Sequence, residues 1–191
     1  KQEGKYNYMF NYIKFEDCCK AIATCAFSAN CVGNFNDPFF LNLRINTTNK
    51  TTINKVAKIY YNYFRYKMLS KRYSYQRVNI GRTPINELFG KIILLCDKNF
   101  KGTQLNELTN YSPSLPFLRK YNNKDFETGA PSFDTKMTTN FNRRNLTIIY
   151  PYGDDRVPVN YNPQIAWYYG CQFVCLNWQI IDDDMATYIN K

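Results

Sequence analysis

Residues 150–179 read YPYGDDRVPVNYNPQIAWYYGCQFVCLNWQ, and their reading decides the fold. On their N-terminal side Leu146-Thr147-Ile148-Ile149-Tyr150 runs into Pro151, and inside them Phe173 to Trp178 follows a turn-rich stretch. Both are apolar runs of the length of a buried strand. Working outward, Gly90 to Leu95 has the same character, as does Phe39-Phe40-Leu41-Asn42-Leu43 after Asp37-Pro38. Leu105 to Tyr111, closed off by Pro113 and Pro116, reads as a further strand, and the polar stretch Arg119 to Asp134 reads as a loop. Between these runs lie two patterns of helical period: Phe15, Cys18, Cys19, Ile22, Ala23 and Ala26, and then Ile53, Val56, Ala57, Tyr60, Phe64 and Met68 behind possible capping residues at Asn49 to Thr52. Strands alternating with helices predict an α/β fold with a parallel sheet, in which Phe39–Leu43 and Phe173–Trp178 share one sheet.

The chain has 191 residues, 45% of them apolar, which suffices for one core, and no internal repeat or change of composition marks a second domain over 1–191. No apolar run reaches the length of a membrane-spanning helix, and no signal-peptide pattern opens the chain. Twenty-five Lys and Arg against fifteen Asp and Glu leave +10, a field that favours phosphate-rich partners such as an anionic membrane or nucleic acid. Histidine is absent, so the commonest general acid/base and nitrogen metal ligand is missing. The seven cysteines lack paired CxxC spacing and read as small buried hydrophobes in a reducing compartment.

Tyr150-Pro151, Asn160-Tyr161-Asn162-Pro163, Trp167, Gly170-Cys171-Gln172 and Val174-Cys175-Leu176-Asn177-Trp178-Gln179 stand in an order that resembles the Y region of eukaryotic phosphoinositide-specific phospholipase C. The upstream pieces follow suit. Pro38 to Leu43 resembles that family's fourth barrel strand, Gly90 to Leu95 the Gly-Lys-Ile-Leu-Leu strand opening its second half, and Ser132-Phe133 a Ser-Phe pair before the Tyr-Pro strand. The resemblance implies a (β/α)8 barrel of TIM type with its site at the C-terminal strand ends, of which this chain supplies strands four to eight: residues 1–100 the end of the X region and a linker, 101–191 the Y region. Three strands would precede Lys1.

The resemblance also implies a chemistry. A calcium ion polarises the inositol 2-hydroxyl and the phosphate, a carboxylate takes the hydroxyl proton, and two histidines stabilise charge and protonate the leaving group. Most of those groups would lie before Lys1. The acid expected after the fourth strand is here Arg44, in Leu43-Arg44-Ile45-Asn46, which removes a calcium ligand and adds a permanent positive charge. Ser132 and Tyr150 coincide with a serine and a tyrosine that hold the inositol ring and its phosphates. The arginine expected two residues before that tyrosine is Ile148, and the paired lysines expected after the fifth strand fall on Leu95 and Asp97, with Lys98 nearby. The chain is therefore expected to hold no metal and no complete catalytic set.

Three readings follow. The first is a catalytically impaired phosphoinositide phospholipase C-like module that binds or scaffolds at an anionic phosphoinositide membrane surface from the cytoplasm. The second is an active calcium-dependent phosphodiesterase whose catalytic half lies upstream. The third, a basic nucleic-acid-binding protein, draws on Tyr60-Tyr61-Asn62-Tyr63-Phe64-Arg65-Tyr66-Lys67, although Tyr60, Phe64 and Met68 at helical spacing read more simply as core.

Overall fold

A computed structural model describes residues 12–113, 117–127, 134–153 and 158–190. Helix α1 (Phe15–Cys25) leads to strand β1 (Phe39–Leu43), and helix α2 (Lys50–Phe64) returns the chain to strand β2 (Ile92–Cys96). Helix α3 (Gln104–Leu108), strand β3 (Leu118–Asn122), helix α4 (Asn123–Glu127) and helix α5 (Thr135–Asn142) follow. Strand β4 (Leu146–Tyr150), helix α6 (Pro163–Tyr168), strand β5 (Phe173–Val174) and helix α7 (Asp183–Ile189) complete the order. All ladders among the described residues are parallel: β1 with β2, and β3 with β4 with β5.

The sequence dictates α2 well. Asn49 Oδ1 accepts from the backbone N–H groups of Thr51 and Thr52, and Ile53, Ala57, Tyr60 and Phe64 recur on one buried face. That face meets β1 and β2. Because side chains alternate along a strand, Phe39, Leu41 and Leu43 of β1 and Ile92, Leu94 and Cys96 of β2 pack outward with α1, α2 and α3. The intervening residues Phe40, Ile93 and Leu95 pack on the opposite face with Tyr111, Leu118, Leu146, Ile148, Tyr150 and Phe173. A third cluster, Phe126, Ile149, Tyr161, Ala166, Cys171 and Val174, covers the outer side of β4 and β5 with α4 and α6. One inner layer thus lies between two outer ones, and its side chains set what the strand ends present.

Four expectations are corrected. Leu105 to Tyr111 is not a strand: Gln104–Leu108 is helical, burying Leu105 and Leu108 against α2, and Tyr111 alone bridges to Leu95. Leucines three apart fit a helical turn better than a pleat. The stretch from Arg119 is not a loop through its first half, since Leu118–Asn122 pairs with all of β4 and α4 follows at once. Phe173–Trp178 is in ladder pairing only at Phe173 and Val174. Beyond the Cys175 N–H bond to Ile149 O, Asn177 gives its backbone N–H to Asn160 Oδ1 and its side-chain amide to Val159 O, and these bonds draw the chain off the ladder. Finally, Phe39–Leu43 and Phe173–Val174 belong to different ladders. The pairing that starts at the Leu95–Tyr111 bridge stops before Pro113, which has no N–H to donate. The two ladders meet through side chains instead, with the Phe40 and Phe173 rings 5.1 Å apart.

Candidate functional site

The inner face becomes polar toward the C-terminal strand ends. Along β1 it runs Phe40, Asn42, Arg44; along β3, Leu118, Lys120, Asn122; along β4, Leu146, Ile148, Tyr150. A cavity of about 340 Å³ at the level of Phe40, Asn42, Leu95, Ile148 and Phe173 is mostly apolar. Asn42 is one polar element of its lining, Gln172 another. The Asn42 Nδ2 donates to the Tyr150 hydroxyl at 2.5 Å, while its Oδ1 is buried with no partner among the described residues.

Above it, at the strand ends, Arg44, Lys120, Asn122, Asp125, Tyr150 and Tyr152 line a second cavity of about 330 Å³. The ring of Tyr150 is its centre. The Arg44 guanidinium carbon lies 5.0 Å from the ring centroid and the Lys120 ammonium 5.2 Å. Both are within cation–π range. Burial pushes the Tyr150 hydroxyl above the ordinary phenol range, partly offset by the Asn42 hydrogen bond and the Arg44 charge, so this hydroxyl is neutral and available as a donor at neutral pH. Asp125 accepts from the backbone N–H of Asn122 at 2.9 Å. Among the described residues the ion pair within 4 Å is Arg72–Glu87, so neither Arg44 nor Lys120 has its charge matched by a carboxylate there.

Residues 92–190, just over half of the chain, match the family model for the phosphatidylinositol-specific phospholipase C Y domain. The chain belongs to this phospholipase C family. Among curated proteins it is similar to the 1-phosphatidylinositol 4,5-bisphosphate phosphodiesterase classes I and II of Drosophila melanogaster, 32% identical over 96 residues, 42% of this chain and 7% of that one. It is also similar to the mouse 1-phosphatidylinositol 4,5-bisphosphate phosphodiesterase beta-1, 35% identical over 100 residues, 46% of this chain and 8% of the relative. The chain thus covers less than a tenth of the length of those curated relatives. Among solved structures, PLC21 of L. pealei matches with a TM-score of 0.66 at 18% identity, over 91% of this chain and 27% of that one. PLC21 of S. officinalis gives 0.67 at 18% identity, over 92% and 27%. Those likenesses show the fold.

The strand ends bring Arg44 and Tyr150 together. Ile148 lies one layer below, buried in the inner core, and Leu95 is likewise buried there. Asp97 follows β2, its backbone N–H bonded to Leu43 O and its Oδ1 accepting from the Ile45 N–H at 3.4 Å, so it fixes the turn carrying Arg44. Lys98 does not line the cavity; its ammonium is 5.7 Å from the ring of Phe100, which belongs to the outer cluster. Ser132 lies outside the described residues. Lys120 and Asn42 are among the residues here that the sequence does not single out for a functional role. The available signal for Lys120 was the period-two pattern Leu118, Lys120, Asn122 against Arg119 and Tyr121, hidden because a cation stands where an inner apolar residue is usual.

The family's calcium asks for several hard oxygen ligands. Among the described residues no three His, Cys, Asp or Glu side chains gather. At the strand ends a guanidinium and an ammonium flank Tyr150 instead, a donor set that does not fit a dication.

Proposed function

We propose that this chain is a catalytically impaired phosphoinositide phospholipase C-like module that binds an inositol phosphate headgroup at an anionic membrane surface on the cytoplasmic side, without calcium. Its strands are read as strands four to eight of a (β/α)8 barrel, a reading supported by the likeness to the PLC21 structures and by the facing of Phe40 and Phe173 across the inner layer. The observation that carries the functional proposal is Arg44. It stands at the end of β1, against Tyr150, at the position where the sequence resemblance leads one to expect a metal-binding acid. A fixed guanidinium repels a dication and attracts a phosphate. The net charge of +10 adds a general attraction to anionic lipid.

Co-sedimentation of the chain with phosphatidylcholine vesicles, with and without phosphatidylinositol 4,5-bisphosphate, tests the binding part. The expected result is retention on the phosphoinositide vesicles in the presence of a calcium chelator. Equal retention on both vesicle types, or stronger binding to single-stranded DNA at the same salt, would remove it. A second reading, an active phosphodiesterase completed by residues outside these 191, is favoured by the small share of the curated relatives that the chain spans. Calcium-dependent release of inositol trisphosphate from the same vesicles, abolished by chelation, would establish that reading in place of the first.

A further inference from the structure

Resting on the headgroup-binding reading above, we infer that Lys120 is the specificity-determining cation of the strand-end cavity: with Arg44 it forms a two-cation clamp for the phosphates of a polyphosphorylated polyol, supplying from β3 the charge that β4 lacks at Ile148. In the parallel register Lys120 lies directly beside Ile148, and Asn122 beside Tyr150. Register partners on adjacent strands leave the same face of the sheet, with their backbones about 4.8 Å apart. A cation rooted at 120 instead of 148 is therefore displaced by one strand spacing, which a lysine's flexible four-carbon stem spans. The Lys120 ammonium does reach the ring of Tyr150, the residue two places beyond Ile148, at 5.2 Å.

Position alone would make Lys120 a surface lysine; three further observations separate it from one. It lines the same cavity of about 330 Å³ as Arg44, a volume in the range of small-molecule sites. Neither it nor Arg44 lies within 4 Å of a carboxylate among the described residues. The carboxylate that does line the cavity, Asp125, is taken up by the backbone N–H of Asn122 in capping the start of α4. Among the described lining residues two cations stand against one carboxylate. The two charges enter from strands of different ladders, β1 and β3, and each stands about 5 Å from the centroid of a common ring, so a ligand with more than one phosphate can meet both where a single phosphate ion has one charge to satisfy. Tyr150 and Asn122 line the same cavity and add polar groups for ring hydroxyls.

Titration calorimetry of the 191-residue chain in excess calcium chelator tests this. The probes are inositol 1,4,5-trisphosphate, inositol 1-phosphate and inorganic phosphate, with phosphatidylinositol 4,5-bisphosphate vesicles as the lipid arm. The wild-type chain is expected to prefer the trisphosphate over both monophosphate probes. Lys120→Gln is expected to weaken trisphosphate binding by about tenfold to a hundredfold, the range for one charge-assisted contact, and to narrow that preference. Lys120→Arg is expected to keep it, and Lys58→Gln, an exposed change on α2, to leave it unaltered. If Lys120→Gln binds the trisphosphate within twofold of wild type, the clamp is wrong while the headgroup reading stands. If inorganic phosphate binds as tightly as the trisphosphate, the polyol specificity is wrong. Wild type that binds neither the trisphosphate nor the lipid overturns the headgroup reading itself. Tight trisphosphate binding with no vesicle retention assigns the clamp to a soluble inositol phosphate and not to a membrane headgroup.

Discussion

Tyr150 takes part in three interactions at once: a hydrogen bond from Asn42, the guanidinium of Arg44 and the ammonium of Lys120. Its hydroxyl, accepting from Asn42, ties β1 to β4 across the inner layer. Tyr150→Phe should lower stability by about 1–3 kcal/mol, because the Asn42 amide is left without its partner in a part-buried position. Adding Asn42→Leu should recover part of that loss, since an apolar pair replaces a stranded polar group, and a double-mutant cycle read by urea unfolding should show coupling. Strict additivity would mean that the bond contributes nothing. At this scale the sequence is legible where a residue falls inside the ordered motif of residues 150–179, as Tyr150 does, or at a strand end counted from it, as Arg44 does. Lys120 and Asn42 fall outside: each is a polar residue at an inward position, and only the register of β3 on β4 and the facing of β1 and β4 show where they point.

Helix α2 shows how far local pattern reaches and where it stops. Its cap and its buried face are both written in the sequence, and Asn49→Ala, which frees the N–H groups of Thr51 and Thr52, should cost about 1 kcal/mol in urea unfolding. The same helix carries a built-in defect. Tyr60 is fully buried, its hydroxyl has no hydrogen-bond partner among the described residues, and burial pushes its ionisation far above the ordinary phenol range. Tyr60→Phe should therefore raise stability by about 1 kcal/mol, the desolvation of an unsatisfied hydroxyl being removed with little change in volume; a fall in the urea midpoint would show that the hydroxyl is satisfied in solution. Helical period placed α1 and α2, and continuous apolar runs of strand length placed β1, β2 and β4, whereas local pattern of either kind stops there. It failed for α3, too short to show more than one turn, and for β3, whose inward and outward faces both carry cations. Arg119 lies 4.0 Å from the ring of Phe141 and Lys120 over Tyr150, so charged side chains here cover aromatic surface in the place of aliphatic ones.

Across the whole molecule, the three clusters bury thiols on both sides of the sheet, which makes alkaline pH a probe of how well the layers hold. Burial pushes Cys171 and Cys175 up to about 11 and Cys96 up to about 12; Arg44 pulls Cys175 back a little, and the hydroxyl of Thr109 does the same for Cys96. In the unfolded chain these thiols ionise near 8.5. The folded state thus keeps its protons to higher pH than the unfolded state does, and the stability this gives is fully present below about 8.5 and is lost as pH rises toward 11. Within that window each such thiol removes about 1.4 kcal/mol per pH unit. The urea midpoint, measured under reductant, should be level from pH 7 to 8.5 and then fall steeply. Cys25 and Cys31, both exposed, should react with a thiol reagent at pH 8 in the native chain, whereas Cys96 and Cys171, both buried, should react only on unfolding. A midpoint that stays flat to pH 11, or buried thiols that react at pH 8 as fast as the exposed pair, would mean that the outer layers open readily. The inner layer on which Arg44, Lys120 and Tyr150 depend would then have no fixed frame.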